Sequence, residues 1–296
     1  MSGTLSIPGT YLLVGHPNVG KSVLFHRLTG AYVNVSNYPG TTVEVTRASA
    51  RFDRDAALLD TPGVLSLPSR SDDERTTVRA LLNEPTRALL QVGDAKNLRR
   101  TLTLTALLAE LNVPLVLALN MHDEAAARGV TIDLKALSEE LGVPVEATVA
   151  TDGKGIGALT RHLADARAPR CILQYDKAID ADIEQVAAAI TQHCPHPGLA
   201  ARGLAILFLG GDDEVAAWMR DKAGQNFAHL VALRQAARSR VEGDLPTLLA
   251  RERTEAADVL AASVVSRSVK SSPLLSQRVG QAVVHPVWGL PILLAV

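Results

Sequence analysis

Short apolar runs alternate with stretches of helical period along residues 10–170. The runs Tyr11–Val14, Val43–Phe52, Ala57–Asp60, Ala88–Val92, Leu115–Leu119 and Val143–Val149 predict strands. The stretches Ser22–Thr29, Asp73–Asn83, Leu98–Leu111, Leu134–Leu141 and Ile156–Ala166 predict helices, and Gly142 ahead of Pro144 marks the stop of one of them. Strands alternating with helices over most of this stretch predict an α/β domain, a mostly parallel sheet wrapped by helices.

From about residue 171 the period changes. Ile179, Ile183, Val186, Ala187 and Ile190 fall on one helix face, and Leu204–Leu209, Asp213–Met219, Phe227–Arg238 and Glu255–Val265 repeat the helical pattern without strand alternation. The expected organisation is therefore a first domain over 1–170, a smaller all-helical domain over 171–270, and a last segment over 271–296. That segment grows more apolar from Val287 to Val296 and reads as a linker entering a membrane region. No run of 18 apolar residues occurs, so no complete transmembrane helix is expected.

Composition narrows the class. Hydrophobic residues make up 47% and aromatic residues 3%, so the core is expected to be aliphatic. A net charge of -1 argues against a general nucleic-acid binder. Cys171 and Cys194 form neither a disulfide framework nor a zinc spacing, and no signal peptide precedes Tyr11; both point to a reducing cytoplasm.

The chemistry is concentrated in four stretches. Gly15-His16-Pro17-Asn18-Val19-Gly20-Lys21-Ser22 reads G-x-x-x-x-G-K-S between a strand and a helix. That context makes a phosphate cradle of backbone N–H groups at a helix N-terminus, in which Gly15, Asn18, Val19, Gly20, Lys21, Ser22 and Val23 are the expected contacts. Lys21 is expected to reach the outer phosphates and Ser22 to offer its hydroxyl to Mg²⁺. The polar stretch Asn34–Thr42 reads as a long, turn-rich loop, one of whose threonines completes the Mg²⁺ shell. Asp60-Thr61-Pro62-Gly63 ends a strand on the phosphate side, with Asp60 as a further Mg²⁺ partner and Gly63 able to turn its N–H to a γ-phosphate. Val64 follows, where many GTPases carry a water-orienting glutamine. Asn120-Met121-His122-Asp123 resembles the N-K-x-D base-reading motif: Asp123 can accept from N1–H and N2–H of guanine, a donor pair adenine lacks. The alternative for Asp123 is a plain helix N-cap. Thr148, Val149 and Ala150 fit a loop whose backbone meets the guanine O6.

Two clusters in the helical part carry weaker signals. His193-Cys194-Pro195-His196 has metal-ligand residue types but no second cluster. Arg234, Arg238, Arg240, Arg251 and Arg253 read as a solvated helix face, with anionic lipid as the alternative partner.

Taken in order, these motifs resemble the cytoplasmic part of the bacterial ferrous iron transporter B (FeoB) family, over nearly the whole chain. Asn37-Tyr38-Pro39-Gly40-Thr41-Thr42-Val43-Glu44 is similar to that family's N-W-x-G-V-T-V-E switch I, Asp60–Gly63 to its switch II, and Asp94–Arg100, Leu119–Ala125, Leu204–Val215 and His285–Pro291 to further signatures. The departures are His16 for asparagine, Tyr38 for tryptophan and Thr41 for valine. The resemblance implies a GTPase module tethered to a divalent-metal permease on the cytoplasmic face of the bacterial inner membrane, binding GTP or GDP with Mg²⁺ held by Ser22, Thr42 and Asp60. It further implies a K⁺ ion at Asn18, with the switch I backbone near Asn37 and Tyr38 holding the attacking water. The helical domain would pass nucleotide state to the transporter's own membrane domain. Small accessory transport proteins and self-association are the other partners it brings in. The competing readings are a ribosome- or RNA-linked GTPase and a non-hydrolysing GTP switch.

Overall fold

The computed structural model describes residues 9–29 and 33–267. The expected membrane entry over 271–296 lies outside the described residues.

In chain order the elements are β1 (Thr10–Gly15), α1 (Lys21–Leu28), β2 (Asn34–Asn37), β3 (Glu44–Ala50), β4 (Asp53–Asp60), α2 (Asp72–Asn83), β5 (Thr86–Asp94), α3 (Leu98–Glu110), β6 (Leu115–Asn120) and α4 (His122–Ala127). Then come β7 (Val130–Ile132), α5 (Leu134–Leu141), β8 (Val145–Ala147), α6 (Ile156–Ala164), α7 (Lys177–His193), α8 (Ala201–Leu209), α9 (Asp213–Ala223), α10 (Phe227–Arg240), α11 (Leu245–Val264) and β9 (Val265–Arg267).

Seven strands form one sheet in the order β2-β3-β4-β1-β5-β6-β8. The pairs of β1 with β4 and β5, of β5 with β6 and of β6 with β8 are parallel; β2 and β3 add an antiparallel edge. The wholly buried β1 lies near the centre, so the loop that follows it leaves the middle of the sheet.

Alternation along β1 splits the core in two. Tyr11 and Leu13 pack with Leu24, Phe25 and Leu28 of α1 and Leu159 and Leu163 of α6. Leu12 and Val14 face the other way, into a cluster that runs through Leu102 and Leu107 of α3 and on, unbroken, to Ile190, Phe208 and Leu249 of the helical part. Each such buried leucine contributes roughly 1.5–3 kcal/mol. The second sheet face and the helical domain therefore share one core. The seam is tight: a Cβ on Gly203 of α8 would lie 2.6 Å from the Glu110 carbonyl oxygen at the end of α3. Arg202 beside it bonds Glu110 at 2.9 Å, and Arg99 of α3 pairs with Asp258 of α11.

Four expectations need correction. Asn34–Asn37 is a strand rather than loop, paired with Glu44–Arg47; all four of its residues are exposed, so no apolar alternation betrayed it. The helical part is not free of strands, because β9 pairs antiparallel with β7, Val130 opposite Arg267. The helix expected over Glu255–Val265 begins ten residues earlier, at Leu245, where Asp244 caps it and Pro246 sits in its first turn. Arg253 is not on a solvated face: it is 4% exposed, and its Nη1 donates to the Leu67 carbonyl at 2.6 Å. Gly142 does end α5, in the left-handed region at φ 69°.

Candidate nucleotide-binding site

The loop between β1 and α1 turns by way of two left-handed residues, Asn18 (φ 62°) and Gly20 (φ 91°). Gly20 also admits a neighbour, since a Cβ there would sit 2.3 Å from the Asn120 amide nitrogen. That amide is the keystone of the site. Its Nδ2 donates to the Val19 carbonyl at 2.9 Å, while its Oδ1 accepts from Thr148 Oγ1 at 3.2 Å and the Ala150 N–H at 3.0 Å. One buried side chain thus joins the phosphate loop, the end of β6 and the Thr148–Ala150 loop, three stretches the sequence assigned to one ligand.

Lys21 is almost wholly buried, its Nζ donating to the carbonyls of Gly15 (3.2 Å) and His16 (3.1 Å). Burial pulls its pKa down against the pull of Asp60 and Asp73. Ser22 Oγ donates to Asp60 Oδ2 at 2.8 Å. Burial raises the Asp60 carboxyl, opposed by that bond and by Lys21, and Asp60 Oδ1 is buried with no partner. An orphaned carboxylate oxygen beside a hydroxyl is a donor set for a hard cation. Among the described residues no group of three His, Cys, Asp or Glu could hold a metal, so such an ion would take its other ligands from phosphates and water. Mg²⁺ fits these residues. The Asn18 amide is exposed and bonds no described residue, leaving its oxygen open to a cation.

The loop 37–43 separates its two threonines. Thr41 Oγ1 donates to the Tyr38 carbonyl at 2.9 Å and closes the turn, whereas Thr42 is exposed with its hydroxyl unengaged by described residues. Tyr38 is buried; its hydroxyl reaches Glu84 at 3.3 Å, and burial and then the Glu84 charge drive its pKa far up. Val64 is fully buried and donates its N–H to the Gly15 carbonyl at 3.0 Å, so its side chain faces the core. Asp123 lies exposed in the first turn of α4, and the residue at the cap position is Met121, in the left-handed region at φ 58°. The plain-cap reading of Asp123 is not what is seen. Lys96 stands over this corner, 3.2 Å from Met121 Sδ and 2.7 Å from Glu124.

Three working residues escaped the sequence reading. Glu74 of α2, 3% exposed, accepts from the N–H groups of Leu65 (3.1 Å), Ser66 (2.9 Å), Arg70 (2.8 Å) and Ser71 (3.1 Å), caging the loop after Gly63. Arg79 donates to the Gly40 carbonyl and holds Glu214 of α9 through Nε and Nη2. Asp212 accepts from Ser69 N at 2.7 Å and Ser69 Oγ at 2.8 Å. The S-x-x-E capping box at Ser71–Glu74 left a trace in the sequence, and Asp212 lies within the Leu204–Val215 signature, but nothing there marked their partners. The motif His193–His196 is structural: His196 Nδ1 accepts from Gly198 and Leu199, and Nε2 meets the Leu82 carbonyl at 2.9 Å.

Comparison with known proteins places these features in a family. Residues 9–163 match ferrous iron transport protein B, and residues 175–266 match the FeoB cytosolic helical domain. The Fe(2+) transporter FeoB of Staphylococcus aureus is 31% identical over 290 residues, covering 97% of this chain and 43% of that protein. That of Salmonella typhimurium is 34% identical, covering 96% and 37%. The chain thus spans less than half the length of these relatives. Among solved structures, a GDP-bound point variant of the S. thermophilus FeoB cytosolic region superposes with a TM-score of 0.76 at 29% identity, over 87% of this chain and 100% of that one. The cytosolic domain of L. pneumophila FeoB does so with 0.76 at 30%, over the same shares.

Proposed function

The chain belongs to the ferrous iron transporter B family, and we propose that it is a guanine-nucleotide switch and GTPase serving a ferrous iron permease at the cytoplasmic face of the membrane. The observation that carries this reading is the Asn120 junction, which brings the phosphate loop and both base-reading stretches to one place. Solved relatives were captured with GDP and GMPPNP, in keeping with it. Among the described residues no helix is long and apolar enough to cross a membrane, and the chain spans 43% of the length of the S. aureus transporter it matches. A relative in Porphyromonas gingivalis is fused to Fe(2+) transport protein A, which supports a small accessory partner.

In this reading the loop N–H groups and Lys21 receive the phosphates, Lys21 exchanging two backbone carbonyls for them. Ser22, Asp60 and Thr42 would hold Mg²⁺, which would supply charge to offset that of the phosphates. Asp123 selects guanine. With Val64 turned inward, the backbone at Asn37 and Tyr38 positions the water, and Asn18 would hold a K⁺ ion, which would supply further positive charge. The buried Val64 also favours a second reading, a switch that binds GTP without hydrolysing it.

Turnover in potassium, sodium and choline chloride at matched ionic strength separates the two. Potassium is expected to stimulate GTP hydrolysis by less than the roughly 10³–10⁵ of an arginine finger, and sodium to substitute poorly. Asn18→Ala should abolish that stimulation while GDP binding stays close to the parent. Equal, negligible rates in all three salts would leave the non-hydrolysing switch.

A further inference from the structure

Beside the phosphate loop a cavity of about 250 Å³ opens where the two domains meet. The loop contributes His16, the segment after Gly63 contributes Leu65–Leu67, α3 contributes Arg100 and α11 contributes Arg253. The charge on its walls is one-sided: two arginines line it and no carboxylate does.

Arg253 is the unusual member. The other arginines at the domain seam have carboxylate partners, Arg79 with Glu214 and Arg202 with Glu110. Arg253 is 4% exposed, and its recorded partners are two carbonyl oxygens, Leu249 at 3.1 Å and Leu67 at 2.6 Å. Neither it nor Arg100 forms an ion pair with a described residue. A buried guanidinium with no carboxylate at bonding distance carries a desolvation cost that carbonyl dipoles, and the Glu110 charge at longer range, offset only in part. His16 lines the same cavity, and its ring bonds no described residue.

We propose that this cavity binds a small oxyanion of phosphate size, held between Arg253 and Arg100 and separate from the site for the nucleotide's phosphates. Arginine suits the task because its planar fork donates two parallel bonds to a tetrahedral oxyanion. The volume lies below the roughly 300–1,000 Å³ of pockets for drug-sized ligands, so a whole nucleotide does not fit. Arg100 is exposed at the mouth, which leaves room for a phosphoryl group whose carrier stays outside. Because Arg253 also grips Leu67, an anion here contacts the same wall as the loop after Gly63. Its occupancy and the nucleotide state are then linked, each shifting the other by the same factor. This site goes beyond the guanine-nucleotide reading; its coupling to nucleotide state, and the use of the analogue to block the loop, rest on that reading.

The test is calorimetric titration of the full chain with inorganic phosphate at constant ionic strength, with Mg²⁺ and a non-hydrolysable GTP analogue present in excess to keep phosphate out of the nucleotide loop. One saturable site per chain is expected, weakened about tenfold or more in Arg100→Gln, the loss of one charge-assisted contact. Arg253→Gln should abolish it; circular dichroism checks that this variant folds, and the exposed Arg100→Gln keeps the test decisive if it does not. A parallel titration with phenyl phosphate distinguishes the source: binding by both ligands supports a phosphoryl group at the mouth, and binding by phosphate alone supports the free ion. No saturable binding at millimolar phosphate, or binding unchanged in Arg100→Gln, overturns the proposal.

Discussion

Adjacent threonines in one loop do different work, and the difference is measurable. Thr41 spends its hydroxyl on the Tyr38 carbonyl, whereas Thr42 keeps its own free. If Thr42 supplies the Mg²⁺ oxygen as proposed, Thr42→Ala is expected to bind GDP much as the parent does and to lose GTP turnover by about tenfold or more. Thr41→Ala should cost about 1 kcal/mol of local stability and affect turnover less. Steady-state turnover and GDP affinity of both variants check the ranking, and a reversed order would assign the Mg²⁺ oxygen to Thr41. Asp123→Asn is expected to move preference from GTP to xanthosine triphosphate by at least about a hundredfold, since an amide can donate to the 2-oxo group; competition binding reads this, and equal binding of ATP and GTP by the parent would contradict it. Residues of this kind are legible in sequence because chemistry fixes their spacing. Arg253 is not, because its meaning comes from Leu67, far away in the chain.

Among the elements, the loop after Gly63 donates four of its backbone N–H bonds to one carboxylate, that of Glu74. Burial raises the Glu74 carboxyl, but the N–H groups of Arg70, Ser66, Ser71 and Leu65 together outweigh that and keep it below the usual range. Its folded pKa is thus depressed, so its contribution is complete above the unfolded carboxyl range and fades as pH falls through the folded value. Glu74→Gln should lower stability by about 1–3 kcal/mol at neutral pH, and the gap to the parent should narrow in urea titrations as pH falls below the unfolded glutamate value of about 4.3. A gap that stays constant with pH would mean that charge plays no part. Strands were legible where burial on both faces makes a continuous apolar run, as in Leu115–Leu119. The edge strand Asn34–Asn37 and the three-residue Val265–Arg267 bury too little to leave a pattern. The capped start of α11 was missed because Leu245–Arg251 buries only Leu245 and Leu249.

At the scale of the molecule, one apolar core runs through both domains, and Gly203 sits where α8 meets the end of α3 beside it. Helix propensity alone would make Gly203→Ala stabilising by nearly 1 kcal/mol. The close approach to Glu110 and Leu111 backbone reverses the sign, and a loss of about 1–3 kcal/mol is expected in urea unfolding. A gain would show that the two helices can slide apart freely. The same integration reaches the far end of the described chain. β9 closes a two-stranded ribbon with β7, which follows α4 and its Asp123 directly. Such a ribbon behaves as a tether: tension on the chain past Arg267 loads its hydrogen bonds together instead of peeling a lone helix end. A tug there reaches Val130–Ile132, directly after the helix that carries Asp123, so the far end of the described chain and one side of the candidate nucleotide site are joined mechanically through a single ribbon.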